Sequence, residues 1–338
     1  MADRSVTVGT LEVTPPLFLA PMAGLTHSAL RAVIAGFGGV GLFSSEMLSA
    51  RSLPRENARI SPFLVTTEAE SPLSYQLLAG NVDEIAGAVA RLEELGADAV
   101  DLNLGCAAPG VRRRGAGLAL WNDLERLGRV VSEIRRRTAL PFTAKIRLCS
   151  GSRRVSCQQE FQDRVKFLEA LGVDAIYLHA RRDREPFARK PQWKMAGLVR
   201  QWLSIPLIVN GGIFSVPDAR KCLEESGADG LMIGRAAAVR PWIFMEMASE
   251  LYNTGSCPGI IDLPRVYMAF ASELLERFPA DRRLGRLKEF THYFSRNYTF
   301  GNRLAMSVQR SRSVSEAMDK AMRFFEKNRG AERQHPVP

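Results

Sequence analysis

Three observations predict an α/β protein: a (β/α)₈ TIM barrel followed by an all-helical C-terminal domain. First, residues 92–100 (LEELGADAV), 168–176 (LEALGVDAI) and 223–231 (LEESGADGL) nearly copy one another. Each reads as a helix end, a glycine that accepts the left-handed conformation, and an apolar strand. Second, strand and helix patterns alternate through the first 253 residues, with eight strand candidates. Strands alternating with helices in repeated units form a parallel sheet with its helices outside. Third, strand signals stop after about residue 253, and amphipathic helices continue to the C-terminus.

In order, the strand candidates lie near 17–20, 40–46, 72–79, 98–104, 141–147, 174–180, 206–210 and 229–233. Pro141 and Pro206 mark the first residues of two of them, where a strand tolerates proline. Helical periodicity fits 82–95 and 124–137 between strands, and 263–277, 282–296, 302–310 and 313–328 beyond them. Eight units favour a closed barrel over a doubly wound sheet, and the first βα turn carries no GxGxxG fingerprint. A barrel needs about 250 residues. The 338-residue chain therefore divides into a barrel over 1–253 and a helical domain over 254–338. Residues 255–258 form the expected linker, and the tail from Gly330 onward is expected to fray.

An apolar share of 46% and a charged share of 24% exclude a disordered chain, a collagen and a coiled-coil rod. No apolar stretch is long enough for a membrane span. The first residues, with Asp3, Arg4, Glu12, Pro15 and Pro16, do not read as a secretory signal. Five sparse cysteines make no disulfide framework and point to a reducing cytoplasm. They have no zinc-site spacing either, so no metal is expected. The net charge of +10 suggests a polyanionic partner. The charge is concentrated in 254–338, which holds 15 Lys and Arg against 9 Asp and Glu.

A barrel carries its active site at the C-terminal ends of its strands. The first strand runs into Ala20, Pro21, Met22, Ala23 and Gly24, small residues that suit either a flat ligand or an ordinary turn. Gln76 serves either the edge of a heteroaromatic ring or the core as a satisfied amide. Lys145 and Arg147 share one face of the fifth strand, and Ile146 takes the other. An unpaired buried charge is costly, which favours a ligand for Lys145. His179 and Arg181 end the sixth strand. Asn210, Gly211 and Gly212 end the seventh, and Gly234 and Arg235 end the eighth; barrels often bind phosphate at these two loops. The loop after the fourth strand runs from Asn103 through Cys106 and the basic triplet Arg112–Arg113–Arg114 to Gly117, and its composition reads as mobile. A cysteine's ordinary pKa of about 8.5 leaves a thiol able to donate a proton at neutral pH. Apolar filling is the other reading of Cys106, and the one adopted for the remaining four cysteines.

Taken together these pieces resemble the FMN-dependent tRNA-dihydrouridine synthases. The resemblance rests on APMAG at 20–24, Gln76, DLNLGC at 101–106, GAGL at 115–118, KIR at 145–147, HAR at 179–181, NGG at 210–212 and IGR at 233–235. It spans about residues 15–325. It implies FMN across the barrel mouth, its phosphate on Asn210, Gly211, Gly212, Gly234 and Arg235. The flavin ring would meet Pro21, Met22 and Ala23, with Gln76, Lys145 and His179 at its polar edges. It further implies that NADPH reduces the flavin and that N5 passes hydride to uracil C6. Cys106 would protonate C5, and Asn103 and Arg181 would hold the uridine. The implied partner is tRNA or another structured RNA, bound by a monomer outside any membrane. Where the family has proline directly after its cysteine, this chain has Ala107 and Ala108 before Pro109, and Ala180 replaces the family's glycine after His179. Three other readings stand beside this one. They are a flavin barrel acting on a small molecule, such as a dihydroorotate-type dehydrogenase; an RNA-binding homologue with altered catalysis; and a phosphosugar enzyme without flavin.

Overall fold

The structure is a computed structural model that describes residues 5–57, 61–148, 155–183, 185–186, 189–255 and 259–333. The expected linker at 255–258 falls mostly outside these residues. A short antiparallel hairpin, β1 (Val6–Val8) and β2 (Leu11–Val13), comes first, and the sequence pattern gave no sign of it. Eight parallel strands follow: β3 (Leu17–Leu19), β4 (Phe43–Ser49), β5 (Leu73–Leu78), β6 (Ala99–Asn103), β7 (Phe142–Leu148), β8 (Ala175–Arg182), β9 (Leu207–Asn210) and β10 (Gly230–Ile233). They are ordered β3-β10-β9-β8-β7-β6-β5-β4, and a parallel bridge between Phe18 and Leu42 brings the two edges together. All eight match the expected strands to within a few residues. Pro141 and Pro206 stand one residue ahead of their strands, and the carbonyl of each accepts a hydrogen bond from the neighbouring strand.

The surrounding helices are α1 (Ser28–Ala35), α2 (Ile85–Glu94), α3 (Pro109–Arg113), α4 (Leu118–Trp121), α5 (Leu124–Arg137), α6 (Val155–Ala170), α7 (Trp193–Trp202), α8 (Val216–Ser226), α9 (Arg235–Val239) and α10 (Ile243–Tyr252). α5 illustrates why they form. Asp123 caps its N-terminus through the amide of Arg126, basic residues fill its last turn, and Leu127, Val130, Val131 and Ile134 bury one stripe.

The threefold sequence repeat has a purpose that periodicity alone does not reveal. Its glycines, Gly96, Gly172 and Gly227, take positive φ at the helix ends. Its aspartates, Asp98, Asp174 and Asp229, each accept from the amide of the first residue of the preceding strand (Leu73, Phe142 and Leu207), at 2.7–2.8 Å. Each of these aspartates also donates its own amide back to that residue's carbonyl. The repeat is thus a clamp that sets the register of three strand pairs.

Two apolar regions result. One lies between the sheet and its helices. The other fills the lower lumen, where Val6, Val8 and Val13 of the hairpin meet Phe18, Ala175, Tyr177 and Ile208. The hairpin turn lies under the strand starts: a side chain at Gly9 would press on Asp174 and Pro141.

The C-terminal helices are α11 (Leu263–Arg277), α12 (Ala280–Phe294), α13 (Gly301–Gln309) and α14 (Val314–Lys327). Their core is aromatic, with Phe270 and Phe290 stacked at 3.8 Å between centroids. It is continuous with the outer barrel core. α11 packs on α1, and His27 is buried against Phe270 and Phe278. Burial first, then the charges of Arg286 and Arg31, hold His27 neutral well below its usual pKa. At the same junction Glu70 is fully buried and pairs with Arg31 at 2.7 Å and with Arg277 of α11 at 3.3 Å. Residues 330–333 depart from the expected frayed tail: Ala331 and Arg333 exchange backbone hydrogen bonds with Thr299 and Asn297. The remaining tail lies outside the described residues.

Candidate active site

The upper lumen opens into a solvent-facing cavity. Its walls come from the ends of the strands, as a barrel dictates. Of the sequence-predicted residues, the structure brings together Pro21, Met22, Asn103, Cys106, Lys145, His179, Asn210, Gly211, Gly212, Gly234 and Arg235 around this space. Ala23, Gln76 and Arg181 are not among the lining residues. Gln76 lies just beneath the floor, fully buried between Asp101 and Asn103. Arg181 is also buried and donates to the carbonyls of Pro186 and Arg189, holding the loop after β8. Met47, Arg147, Ile213, Phe214 and Met232 line the cavity without having been singled out as site residues. Arg147 carried a signal, its shared face with Lys145. Met47 stood one residue past the expected strand end.

Strand register sets this arrangement. Asn103 is beside Lys145, Arg147 beside His179, and His179 beside Asn210 across neighbouring strands. Lys145 Nζ donates to Asn210 Oδ1 at 3.2 Å, and Asn210 Nδ2 donates to the Met232 carbonyl at 2.6 Å. Ile146 packs in the outer core, as alternation requires, and also borders the cavity between Lys145 and Arg147. Phe214 lies under the Arg235 guanidinium, 5.6 Å from ring centroid to Cζ.

None of the described lining residues is acidic, whereas Lys145, Arg147 and Arg235 are cationic. Burial pushes the Lys145 ammonium below its ordinary value, opposed by the carboxylate of Asp101 and aided by Arg147. His179 is pushed down to about 2, by burial first and then by Lys145, Arg147, Arg181 and Arg235. Its imidazole is therefore neutral at physiological pH and has no imidazolium proton to give.

The loop after β6 is more structured than its composition suggests, because α3 and α4 fold within it. Asn103 organises its start: its Oδ1 accepts from the amides of Gly105 at 3.2 Å and Cys106 at 3.0 Å. The Gly105 carbonyl accepts from Arg147 Nε at 2.9 Å, and the Cys106 carbonyl from the Leu118 amide at 3.0 Å. Gly117 passes so close that a Cβ there would sit 2.6 Å from the Cys106 carbonyl. Cys106 is half-buried, and it is the one thiol among the described lining residues.

The residues fit a flat phosphorylated group such as FMN. Gly211 and Gly212 border the cavity as bare backbone, because a Cβ would stand 2.6 Å from the His179 ring at Gly211 and 2.5 Å from Pro191 Cγ at Gly212. Arg235 also borders it, and the apolar surface of Pro21 and Met22 lies along the wall.

The dihydrouridine synthase (Dus) family profile matches residues 18–323, nearly the whole chain. The chain belongs to the dihydrouridine synthase family. Family members with 33% identity include the tRNA-dihydrouridine synthase B of Pseudomonas aeruginosa, over 80% of each chain. The tRNA-dihydrouridine synthase B of Yersinia pestis is 34% identical over 73% of this chain and 75% of its own. A probable tRNA-dihydrouridine synthase of Mycobacterium tuberculosis is 28% identical over 92% of this chain and 82% of its own. Among solved structures, morphinone reductase shares the barrel fold at a TM-score of 0.52 and 15% identity, over 75% of this chain and 92% of that one. An enzyme of Zymomonas mobilis, solved as a variant, does so at 0.52 and 15%, over 79% and 97%. Among the described residues no helix is long and apolar enough to cross a membrane, and no group of three or more His, Cys, Asp or Glu could hold a metal ion.

Proposed function

We propose that this chain reduces the C5=C6 bond of uridine in tRNA to 5,6-dihydrouridine, using FMN and NADPH. The observation that carries the reading is the pairing at the barrel mouth of one clamped cysteine with three cationic side chains and no acidic one among the described lining residues. Bound FMN supplies the hydride that adds at uracil C6, having been reduced by NADPH. Asn210, Gly211, Gly212, Gly234 and Arg235 would hold its phosphate, and Pro21 and Met22 would offer the apolar surface for its ring. Lys145, with its ammonium at the cavity wall, would favour an anionic group bound against it. Cys106 delivers its thiol proton to C5, so hydride and proton together saturate the bond. His179, held neutral by burial and the surrounding cations, does not compete as the acid. Asn103 sets the Cys106 backbone, and Arg181 holds the loop that borders the uridine.

A uracil reaches such a recess only by leaving its stack, which suits loop regions of RNA. The basic helical segment 254–338 and Arg112, Arg113 and Arg114, all exposed, bind the surrounding phosphates, while 1–253 performs the chemistry. The deciding experiment incubates FMN-reconstituted protein with NADPH and tRNA lacking dihydrouridine, then maps added hydrogens by mass spectrometry. Dihydrouridine at defined positions is the expected outcome. A protein that cannot be loaded with FMN, or loaded protein that leaves every uridine intact, overturns the reading.

A further inference from the structure

Under the cavity floor three strands place Gln76, Asp101 and Thr143 side by side, in register across β5, β6 and β7. All three are buried to within 1%. Thr143 Oγ1 donates to Asp101 Oδ1 at 2.7 Å, and Gln76 Nε2 donates to Asp101 Oδ2 at 2.6 Å. Gln76 Oε1 then accepts from Asn103 Nδ2 at 2.8 Å, and Asn103 Oδ1 accepts from the amides of Gly105 and Cys106. We propose that Asp101 is a positioning residue for the cysteine loop, acting through the two amides of Gln76 and Asn103.

The direction of every bond in this chain is determined from its ends. Backbone N–H groups only donate, so the Asn103 atom facing Gly105 and Cys106 is oxygen. Its nitrogen therefore faces Gln76, and also the Met47 thioether at 3.1 Å, which only accepts. Gln76 must meet that nitrogen with oxygen, which turns its own NH₂ toward Asp101. The Asp101 carboxyl presents Oδ2 to that NH₂ and Oδ1 to the Thr143 hydroxyl. Burial raises its pKa to about 7, and the ionised form present above that value, which only accepts, holds this orientation. Reversing either amide would set donor against donor in a buried site, where unmatched polar groups are expensive. A core aspartate thus reaches the backbone of Cys106, a residue it does not touch. Its effect on RNA reduction rests on the function proposed above; its effect on the cysteine loop does not.

The test compares Asp101→Leu, which removes the acceptor, with Asp101→Asn, whose oxygen can still meet Gln76 while its NH₂ faces the Thr143 hydroxyl. In FMN-loaded protein, Asp101→Leu is expected to slow reoxidation of the reduced flavin by tRNA about 100-fold, the scale of a misplacement near 1 Å. Flavin reduction by NADPH should keep its wild-type rate, and Asp101→Asn should keep both rates. Iodoacetamide labelling of Cys106, followed on its own peptide, should change rate in the Leu variant and not in the Asn variant. Equal slowing of both half-reactions, wild-type rates in the Leu variant, or matching behaviour of the two variants would each overturn the proposal. If the Leu variant does not fold, side-chain amide NMR of the wild type decides. Slow hydrogen exchange at Gln76 Nε2 and Asn103 Nδ2 is expected, and exchange at free-amide rates refutes the chain. If the wild type makes no dihydrouridine yet the labelling pattern holds, the functional reading fails and the positioning role stands.

Discussion

The two ends of the barrel lumen are built by opposite rules. At the lower end, hairpin valines close over Phe18, Tyr177 and Ile208, with Phe18 and Tyr177 tilted at 5.5 Å between centroids. At the upper end β6 to β9 present Asn103, Lys145, Arg147, His179 and Asn210 around open space, where Lys145 bonds to Asn210 and Arg147 to the Gly105 carbonyl. Ala20 and Met232 belong to both and mark the boundary. The difference teaches that one barrel separates its labours along its axis: apolar packing below supplies stability, while polar groups above are free to be costly.

Four experiments would break or sharpen this contrast. The largest effect belongs to Cys106→Ala, which should lower dihydrouridine formation by about 10²–10⁴-fold, the usual reach of an acid–base group. Its thermal midpoint should stay at the wild-type value. Phe18→Ala should do the reverse: a loss of about 3–5 kcal/mol of stability, typical of a buried aromatic, read by denaturant titration. The folded fraction should keep its turnover. If Phe18→Ala impaired turnover of folded protein, the two ends would not be independent.

Lys145 comes next. Lys145→Met should weaken FMN binding by about 1.5–3 kcal/mol, the scale of a charge-assisted hydrogen bond. Because burial lowers the Lys145 pKa, its charge is lost at lower pH than an ordinary lysine's 10.5. FMN affinity should therefore fall as pH rises through that lowered value, whereas Lys145→Arg, charged throughout, should give a flat profile. The stability sign is opposite. Between the lowered value and 10.5 the unfolded chain keeps the proton that the folded chain has released, so stability of FMN-free protein rises with pH over that window. The smallest effects belong to the rim: alanine at Arg112, Arg113 or Arg114 should each reduce the salt slope of tRNA binding by about one, if each meets a phosphate. Fluorescence anisotropy across a salt series measures it.

Much of this was legible in the residues. The repeat announced the strands, alternation separated Lys145 and Arg147 from Ile146, and the strand-end rule gathered most of the mouth. What escaped depended on partners distant in sequence. The hairpin is only three residues per strand, too short for a periodic signal. Gln76 read equally as a ring contact or a satisfied amide, and only the register with Asp101 and Asn103 puts it below the floor. Arg181 was expected to hold the uridine, yet the carbonyls it meets lie in a loop whose path no local pattern encodes. The β6 loop read as mobile because glycine and arginine dominate it. Asn103, Arg147 and Leu118 tie it down from three directions.

The carboxylate of Glu70 constrains how the molecule can be cut and rejoined. It stands in a barrel loop, fully enclosed, and shares its charge between Arg31 of the barrel and Arg277 of the helices. Deleting one partner of such a buried cluster typically costs about 3–5 kcal/mol. The helical segment is thus no detachable cassette. A graft onto another barrel would have to carry Arg31 and Glu70 with it, or leave Arg277 buried without its carboxylate.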